Sequence, residues 1–240
     1  MATRSVRGVV KSGYAATAHG VGSVLTAAHV LAAEPPARGR RARHWLYSLT
    51  KVHDSAAMVA LDVPWWTYRA IDEVERWLGA RPRPARVFEY GSGASTVWLA
   101  RRAGSVTSVE HHEEFAELMR PLLAPVENAS LLVRPPIATS SPAVPSAKEG
   151  YAGLDFEPYV ATLDETEGEF DLIVVDGRAR GACLLRALPR LASDGLVVFD
   201  NTRRRRYRIA IEAAPVVELR LPGLTPTLPY PDQTSLLRHA

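Results

Sequence analysis

The 240-residue sequence has little of three things: cysteine, lysine and long apolar runs. Its one cysteine, Cys183, excludes an intramolecular disulfide framework and any metal site built from several thiolates. A single thiol also favours a reducing compartment, and we expect the cytoplasm. No stretch approaches the ~20 consecutive apolar residues that a transmembrane helix needs, so no membrane partner is expected.

Lysine occurs only at positions 11, 51 and 148, so arginine supplies most of the positive charge. The 29 basic residues barely exceed the 26 acidic ones, and a net charge of +3 argues against a nucleic-acid partner. Residues 1–43 carry no acid before Glu34 and then a run rich in proline and arginine. We expect a poorly packed or accessory extension there, with a targeting peptide as the alternative, followed by one domain over 44–240.

The rest of the chain alternates short apolar runs with helical stretches. An amphipathic helix over 65–79 comes first, with Ile71, Val74 and Leu78 on its apolar side. The predicted strands are 86–90, 105–110, 129–134, 170–175, 195–200, 215–221 and 233–238, and the predicted helices between them are 94–103, 112–124, 157–167, 179–192 and 203–213. This order predicts an α/β fold with a mostly parallel sheet, covered on both faces and closed by an antiparallel pair at one edge.

The most informative motif is a glycine turn between the first strand and the helix that follows it. Gly91-Ser92-Gly93 allows the backbone to turn tightly and to approach a ligand closely, beside the N–H groups of a helix N-terminus. Glu89 ends the first strand and Glu110 ends the second, 21 residues later. An acid at that distance meets the ribose of a nucleoside bound at the turn, so the sequence predicts a nucleoside site.

The type of nucleoside follows from two residues. A pyrophosphate fingerprint expects a third glycine or alanine where this chain has Thr96, and Glu89 is poorly placed beside a phosphate. A carboxylate suits the ammonium and sulfonium groups of S-adenosylmethionine better. A nicotinamide-dependent oxidoreductase is therefore the weaker alternative.

Four segments resemble the motifs of class I S-adenosylmethionine-dependent methyltransferases, which have a Rossmann-like fold. They are Phe88-Glu89-Tyr90-Gly91-Ser92-Gly93, Ser108-Val109-Glu110-His111, the run from Phe170 to Arg178, and Leu196-Val197-Val198-Phe199-Asp200-Asn201. The resemblance covers about 65–238 and implies seven strands in the order 3-2-1-4-5-7-6, with the last strand antiparallel.

The same resemblance implies roles for the cofactor-binding residues. Glu89 would lie near the methionine end, Gly91, Ser92, Gly93 and Ser95 around the cofactor, Glu110 on the ribose hydroxyls, and His111 beside the adenine. One departure is the third strand, because Arg134-Pro135-Pro136 offers no acid for the adenine amino group, which leaves Ser140, Ser141 or the backbone.

Candidate catalytic residues follow the fourth and fifth strands. Asp176 comes after one buried run, and Asp200-Asn201 come after the next, so their oxygens meet at one edge of the sheet. Such a set suits Mg²⁺ and resembles the Asp…Asp-Asn metal site of catechol and caffeoyl-CoA O-methyltransferases. The alternative is that Asp200-Asn201 cap a helix and Asp176-Gly177 form a turn. Without a metal, Asp176 is the best candidate base, since Ala179 stands where those families have a lysine.

The run Arg203–Arg206, with Arg208, directly follows this edge. It is either a solvated helix start or a set of arginines that bind an anionic acceptor.

Taken together, these motifs predict a methyltransferase that acts on a small molecule or sugar, at oxygen. The alternatives are a non-catalytic nucleoside-binding protein of the same fold and the oxidoreductase.

Overall fold

The computed structural model describes residues 34–51 and 54–240. Its centre is a seven-stranded sheet in the order β3-β2-β1-β6-β7-β9-β8. The strands are β1 (Arg86–Tyr90), β2 (Ser105–Glu110), β3 (Ala129–Val133), β6 (Phe170–Val175), β7 (Leu191–Phe199), β8 (Val216–Gly223) and β9 (Asp232–His239). Two short strands, β4 (Ile137–Ala138) and β5 (Leu154–Asp155), form a separate antiparallel pair.

Eight α-helices of the described residues connect and cover these strands. They are α1 (Arg41–Ser48), α2 (Ser55–Leu61), α3 (Tyr68–Gly79), α4 (Ala94–Ala100), α5 (Glu113–Leu123), α6 (Glu157–Ala161), α7 (Arg180–Ala187) and α8 (Arg205–Glu212). In the part of the chain that the structure describes, none of them is long and apolar enough to cross a membrane.

The strand directions confirm the predicted fold. β1 pairs in parallel with β2 and β6, and β6 pairs in parallel with β7. β9 alone runs antiparallel to its neighbours β7 and β8, as predicted. Counting only the strands of the main sheet, the order is the predicted 3-2-1-4-5-7-6. The carboxyl ends of β1, β2, β6 and β7 therefore meet at one edge of the sheet.

Several element boundaries differ from the prediction, as one helix and one strand illustrate. The helix predicted over 157–167 ends at Ala161 and continues as a 3₁₀ turn, Thr162–Glu165. β7 begins at Leu191 instead of 195, because the strand continues through Asp194-Gly195 with a shift of register beside Phe170 and Leu172. Pairing with β6 thus extends the strand towards its N-terminus beyond the predicted start.

Apolar side chains bury both faces of the sheet. One face packs against α3, whose Ile71 and Val74 are fully buried as predicted, and against Trp66 and Trp98. Thr67 caps α3 by accepting the N–H of Ala70. The other face packs Phe88 and Phe170 against α6, which carries Tyr159, and against α7 and α8. Two covered faces explain why the central strands are almost uniformly apolar.

The expected extension over 1–43 lies largely outside the described residues, which begin at Glu34. Within residues 34–43, Arg38 pairs with Glu75, and Arg41 pairs with Asp72. The described end of the extension therefore lies against α3.

Candidate active site

A cavity of about 550 Å³ opens at the carboxyl edge of the sheet. Most of the residues singled out in the sequence line it, namely Gly91, Ser92, Gly93, Ser95, Glu110, His111, Asp176, Asp200 and Asn201. The volume lies within the ~300–1,000 Å³ typical of ligand cavities. Adjacent parallel strands bring these residues together, since each strand ends at the same edge.

The two glycines of the turn serve different purposes. Gly91 has φ +98°, and a Cβ there would lie 3.0 Å from Cα of Gly177, so packing against the end of β6 requires glycine. Gly93 is extended, and the nearest atom to a Cβ there would be Oγ of Ser95 at 3.8 Å. The protein atoms leave room for a side chain at position 93. Because glycine has no side chain, this volume is empty and is open to the cavity.

Glu89 lies behind the glycine turn and does not line the cavity. It is fully buried, and its carboxylate accepts hydrogen bonds from the hydroxyls of Ser95, Thr96 and Ser108. Burial raises the pKa of Glu89 to about 7, although the three hydroxyls favour its charged form. Neighbouring hydroxyls thus contact both carboxylate oxygens, and the position of Glu89 near the methionine end of a cofactor stays a prediction.

Glu110 lines the cavity and is held from two sides. Its Oε1 accepts from the backbone N–H groups of His111 and His112 at 2.8 and 2.9 Å, and its Oε2 accepts from that of Ser92 at 3.2 Å. Burial raises the pKa of Glu110, but hydrogen bonds from His111 and these backbone groups outweigh it and leave the pKa lowered. Glu110 is thus a fixed, charged acceptor beside the glycine turn.

His111 belongs to an aromatic wall that the sequence only partly revealed. Its ring centroid lies 5.7–5.8 Å from those of Tyr151, Phe156 and Tyr159. Tyr151 comes from the long loop between β4 and β5. The pairing of these two strands brings the loop back to the cavity beside the end of β2. The one available signal was that Tyr151 is the only aromatic residue of that loop. Ser140 and Ser141, considered for the adenine, do not line the cavity.

Arg180 joins the ends of β6 and β7 beneath the cavity. Its side chain is 4% exposed, with Nη2 2.7 Å from Oδ1 of Asp176 and Nη1 3.9 Å from Oδ2 of Asp200. The guanidinium also donates to the backbone carbonyl oxygens of Asp176, Gly177 and Asp200. Ala179 adopts a left-handed conformation with φ +48°, which begins α7 directly after the strand end.

The two aspartates have perturbed acidities. Burial raises the pKa of Asp176, against the opposing charges of Arg180 and Arg178. Burial, and then the charge of Asp176, raise the pKa of Asp200 to about 8. Asp200 is almost fully buried and accepts from Oγ1 of Thr234 at 2.7 Å, whereas Asp176 keeps 21% of its side chain exposed. Asp176 is therefore the more accessible carboxylate.

These oxygens do not fit a Mg²⁺ ion. The guanidinium of Arg180 already supplies the positive charge beside both carboxylates. Asn201 donates its amide to Oδ2 of Asp232 at 2.9 Å in a left-handed turn. Among the described residues, moreover, no group of three or more His, Cys, Asp or Glu could hold a metal. The capping alternative is not seen either, because Arg204 precedes the first residue of α8.

The arginine run divides between different surroundings. Arg204 lines the large cavity, and Arg206 lines a smaller cavity beside it. Arg208 points elsewhere and pairs with Glu218, with Nη2 2.9 Å from Oε2. The run is thus neither wholly a solvated helix start nor wholly a binding surface.

The loop between β8 and β9 completes the cavity wall with Leu228 and Tyr230. Two tryptophans that are distant in sequence hold this loop by hydrogen bonds. Nε1 of Trp45 donates to the carbonyl oxygen of Leu228 at 2.9 Å, and Nε1 of Trp65 donates to Oγ1 of Thr227 at 2.8 Å. Helix α1 therefore supports the loop, and Trp65 also lines the cavity.

Comparison with known proteins agrees with this geometry. Residues 88–202, from β1 to the turn after β7, match the family model described as Methyltransferase domain. Residues 88–202 carry a class I, S-adenosylmethionine-dependent methyltransferase domain. The match spans the glycine turn, Glu110, Asp176 and Asp200, and so most of the residues that line the cavity of this methyltransferase.

Several solved structures are similar to this methyltransferase domain. TrmN from Thermus thermophilus is 17% identical, with a TM-score of 0.50, over 76% of this chain and 49% of that one. A methyltransferase-like protein from Silicibacter pomeroyi is 24% identical over 70% of this chain and 84% of its own, with a TM-score of 0.45. A Streptococcus mutans protein in complex with SAH is 12% identical over 70% and 96%, with a TM-score of 0.48. No curated protein matches the chain.

Proposed function

We propose that this methyltransferase transfers the methyl group to an oxygen atom of a small molecule or sugar, with Asp176 as the base. One observation carries the proposal: the partly exposed carboxylate of Asp176 faces the same cavity as the glycine turn and Glu110. A base and a nucleoside site on one cavity are what transfer to a hydroxyl needs, because the reaction aligns an acceptor and removes its proton.

The residues of the cavity fit S-adenosylmethionine. Glu110 offers charged oxygens for two ribose hydroxyls, and Gly93 leaves its Cβ position empty for a ligand. Gly91 and Ser92 shape the same turn, Ser95 lies at its helical end, and His111 presents a ring for the adenine. Bound there, S-adenosylmethionine supplies an electrophilic methyl group on a sulfonium. Glu89 acts as a positioning residue that holds Ser95 and Thr96 from behind.

Asp176 would remove the acceptor proton, while Arg180 holds its carboxylate in place. The guanidinium donates to Oδ1 of Asp176 and to the backbone oxygen of the same residue, which limits its rotation. Since the guanidinium of Arg180 already lies beside Asp176 and Asp200, we propose that the reaction runs without a metal ion. Asp200 and Asn201 then shape the cavity floor instead of ligating Mg²⁺.

A small acceptor is favoured over a nucleic acid by the shape and charge of the opening. Leu228, Tyr230 and Trp65 form one side of the cavity, and the carboxylates Asp176, Asp200 and Asp232 lie on its floor. The carboxylates of Glu110, Asp176 and Asp232 disfavour a phosphodiester chain there. The cations Lys148, Arg178 and Arg204 occupy the wall, where they suit a single anionic group better than a long polyanion.

Calorimetric titration with S-adenosylmethionine, S-adenosylhomocysteine and NAD tests the cofactor. We expect both sulfur nucleosides to bind and NAD not to bind; the reverse would establish an oxidoreductase. Methyl transfer from labelled cofactor to phenols, sugars, carboxylates and an RNA transcript then tests the acceptor. Transfer to RNA alone would overturn the small-molecule class, and cofactor binding with no transfer to any acceptor would favour a non-catalytic protein.

A further inference from the structure

A second cavity, of about 250 Å³, lies beside the large one. We name it the side cavity; its walls are the loop residues Ala143–Lys148, the residues Arg178–Ala182 at the start of α7, and Arg206 with Tyr207 of α8. Lys148 and Arg178 line both cavities, so they stand between them. The side cavity is smaller than the ~300–1,000 Å³ of whole-ligand sites, which suits one functional group of a larger ligand.

The charged side chains that line the side cavity are all positive. Lys148, Arg178, Arg180 and Arg206 line it, and none of its lining residues is acidic. Asp176 and Asp200 balance Arg180. Within residues 34–51 and 54–240, however, neither Arg178 nor Arg206 forms an ion pair with a carboxylate, unlike Arg208 two residues further on. Two guanidinium groups at this cavity therefore have no carboxylate in direct contact, although the charge of Arg178 acts on Asp176 nearby.

Not every N–H group of the Arg178 guanidinium has a hydrogen-bond acceptor. Its Nε is buried without a hydrogen-bond partner, and its Nη1 donates to the carbonyl oxygen of Gly177 at 3.1 Å. A buried N–H with no acceptor costs free energy, and such groups are uncommon in proteins. The unpartnered donor lies on a residue that lines both cavities, so a ligand that reaches from one to the other could accept from it.

Arg206 is held in place by an aromatic ring. Its guanidinium carbon lies 4.7 Å from the ring centroid of Tyr207, which also lines the side cavity. Burial raises the pKa of Tyr207, but Arg180, Arg206 and Arg204 outweigh burial and leave the pKa lowered, as expected where the local potential is positive. A guanidinium stacked on a ring still presents N–H groups at its edge, in the fork that binds carboxylate or phosphate oxygens.

We infer that the side cavity binds an anionic group of the methyl acceptor, a phosphate, sulfate or carboxylate, through Arg178 and Arg206. The acceptor would span the wall formed by Lys148 and Arg178, with its anionic group in the side cavity and its hydroxyl near Asp176. Arg178 follows Asp176 by two residues, so one strand end positions both the base and the anion donor. This inference rests on the proposed function for the identity of the ligand, but the anion site itself does not depend on it.

The test uses inorganic phosphate, sulfate and acetate, titrated calorimetrically into the full chain at low ionic strength. Arg206→Gln and Arg178→Gln remove the proposed donors. Arg205→Gln is the matched control, since Arg205 is an exposed neighbour in α8 that lines neither cavity. We expect at least one anion to bind, with affinity at least fivefold weaker in Arg206→Gln and Arg178→Gln and within twofold of the unmodified chain in Arg205→Gln.

Two results would overturn the inference: no binding of any of the three anions, or equal loss in Arg205→Gln and Arg206→Gln, which would indicate only a general surface charge effect. Titration of S-adenosylhomocysteine into the same variants separates this inference from the proposed function. If the nucleoside fails to bind while anions bind through Arg206, the proposed function fails and the anion site stands. If the nucleoside binds normally and the anions do not, only the anion site fails.

Discussion

Nη2 of Arg180 lies 2.7 Å from Oδ1 of Asp176, at the point where β6 ends and the cavity begins. The guanidinium also donates to the backbone carbonyl oxygen of Asp200, so a single cation joins two neighbouring strand ends. An aspartate pair at adjacent strand ends has the composition of a Mg²⁺ site. In this chain a fixed side-chain charge takes the place that the sequence predicted for a metal ion, and that substitution bears on metal dependence, folding and acidity.

Metal dependence is the first consequence. Because the guanidinium of Arg180 supplies a positive charge beside both aspartates, methyl transfer should be unchanged by EDTA and should not increase on addition of Mg²⁺. Initial rates measured with chelator and across a Mg²⁺ titration give the answer. Loss of turnover in EDTA with recovery on addition of Mg²⁺ would restore the predicted metal site of Asp176, Asp200 and Asn201.

Removal of the guanidinium should destabilise the fold. Arg180→Met leaves the buried Asp200 and the partly exposed Asp176 without their cation, and losing one partner of a buried ion pair costs about 3–5 kcal/mol. Urea unfolding of the variant measures the loss. Arg186→Met, which breaks pairs of half-exposed residues with Glu157 and Asp164, is the control and should cost far less. Equal effects of the two variants would show that Arg180 has no special structural role.

The activity should depend on the ionisation of Asp176. Its pKa is raised from the ordinary 3.8, and only the carboxylate form can accept a proton, so kcat/KM should fall as the pH drops through a value above 3.8. Since Asp200 titrates nearby, the observed limb belongs to the pair. Asp176→Asn should lower kcat about 10²- to 10⁴-fold and remove the limb, while binding of S-adenosylhomocysteine is kept. An unchanged pH profile in the variant would assign the base elsewhere.

Glu110 should contribute strongly to cofactor affinity. Hydrogen bonds to a charged group contribute about 1.5–3 kcal/mol, so Glu110→Ala should weaken S-adenosylhomocysteine binding roughly 10- to 100-fold. Calorimetry measures the affinity directly. Glu114→Ala is the matched control, because Glu114 is an exposed residue in the first turn of α5 and does not line the cavity. Comparable affinities for the two variants would contradict the assignment of Glu110 to the ribose.

Alanine substitutions at Gly93 and Gly177 should separate an effect on nucleoside binding from an effect on folding. A Cβ at Gly93 meets no atom closer than 3.8 Å, so Gly93→Ala should leave the unfolding temperature unchanged and weaken nucleoside binding. A Cβ at Gly177 would overlap the hydroxyl of Tyr159, so Gly177→Ala should lower the unfolding temperature. Thermal unfolding and calorimetry on both variants check the contrast. Full nucleoside affinity in Gly93→Ala would mean that the cofactor does not approach this part of the turn.

The sequence alone predicted the sheet and the position of its ligand edge. Buried parallel strands are continuous apolar runs, and alternation with helices leaves few allowed connections, so a mostly parallel sheet closed by an antiparallel pair could be derived. The order of its seven strands followed from the family resemblance. Gly91, Gly93, Glu110 and Asp176 could be singled out because each lies at a strand end, and parallel strands place such ends at one edge. These are local signals, since a residue's place in its own strand is encoded by its neighbours in the chain.

Only the tertiary structure decided how these residues are used. The hydroxyls of Ser95, Thr96 and Ser108 surround the carboxylate of Glu89, and their convergence depends on how α4 and β2 pack on β1. No residue near Arg180 in the sequence indicates its contact with Asp200, because that contact forms only when β7 pairs with β6. Tyr151 and Trp45 reach the cavity and its loop across 40 and 183 residues of sequence, respectively. Hydrophobic periodicity specifies which elements form, whereas contacts between distant side chains exist only after those elements have packed.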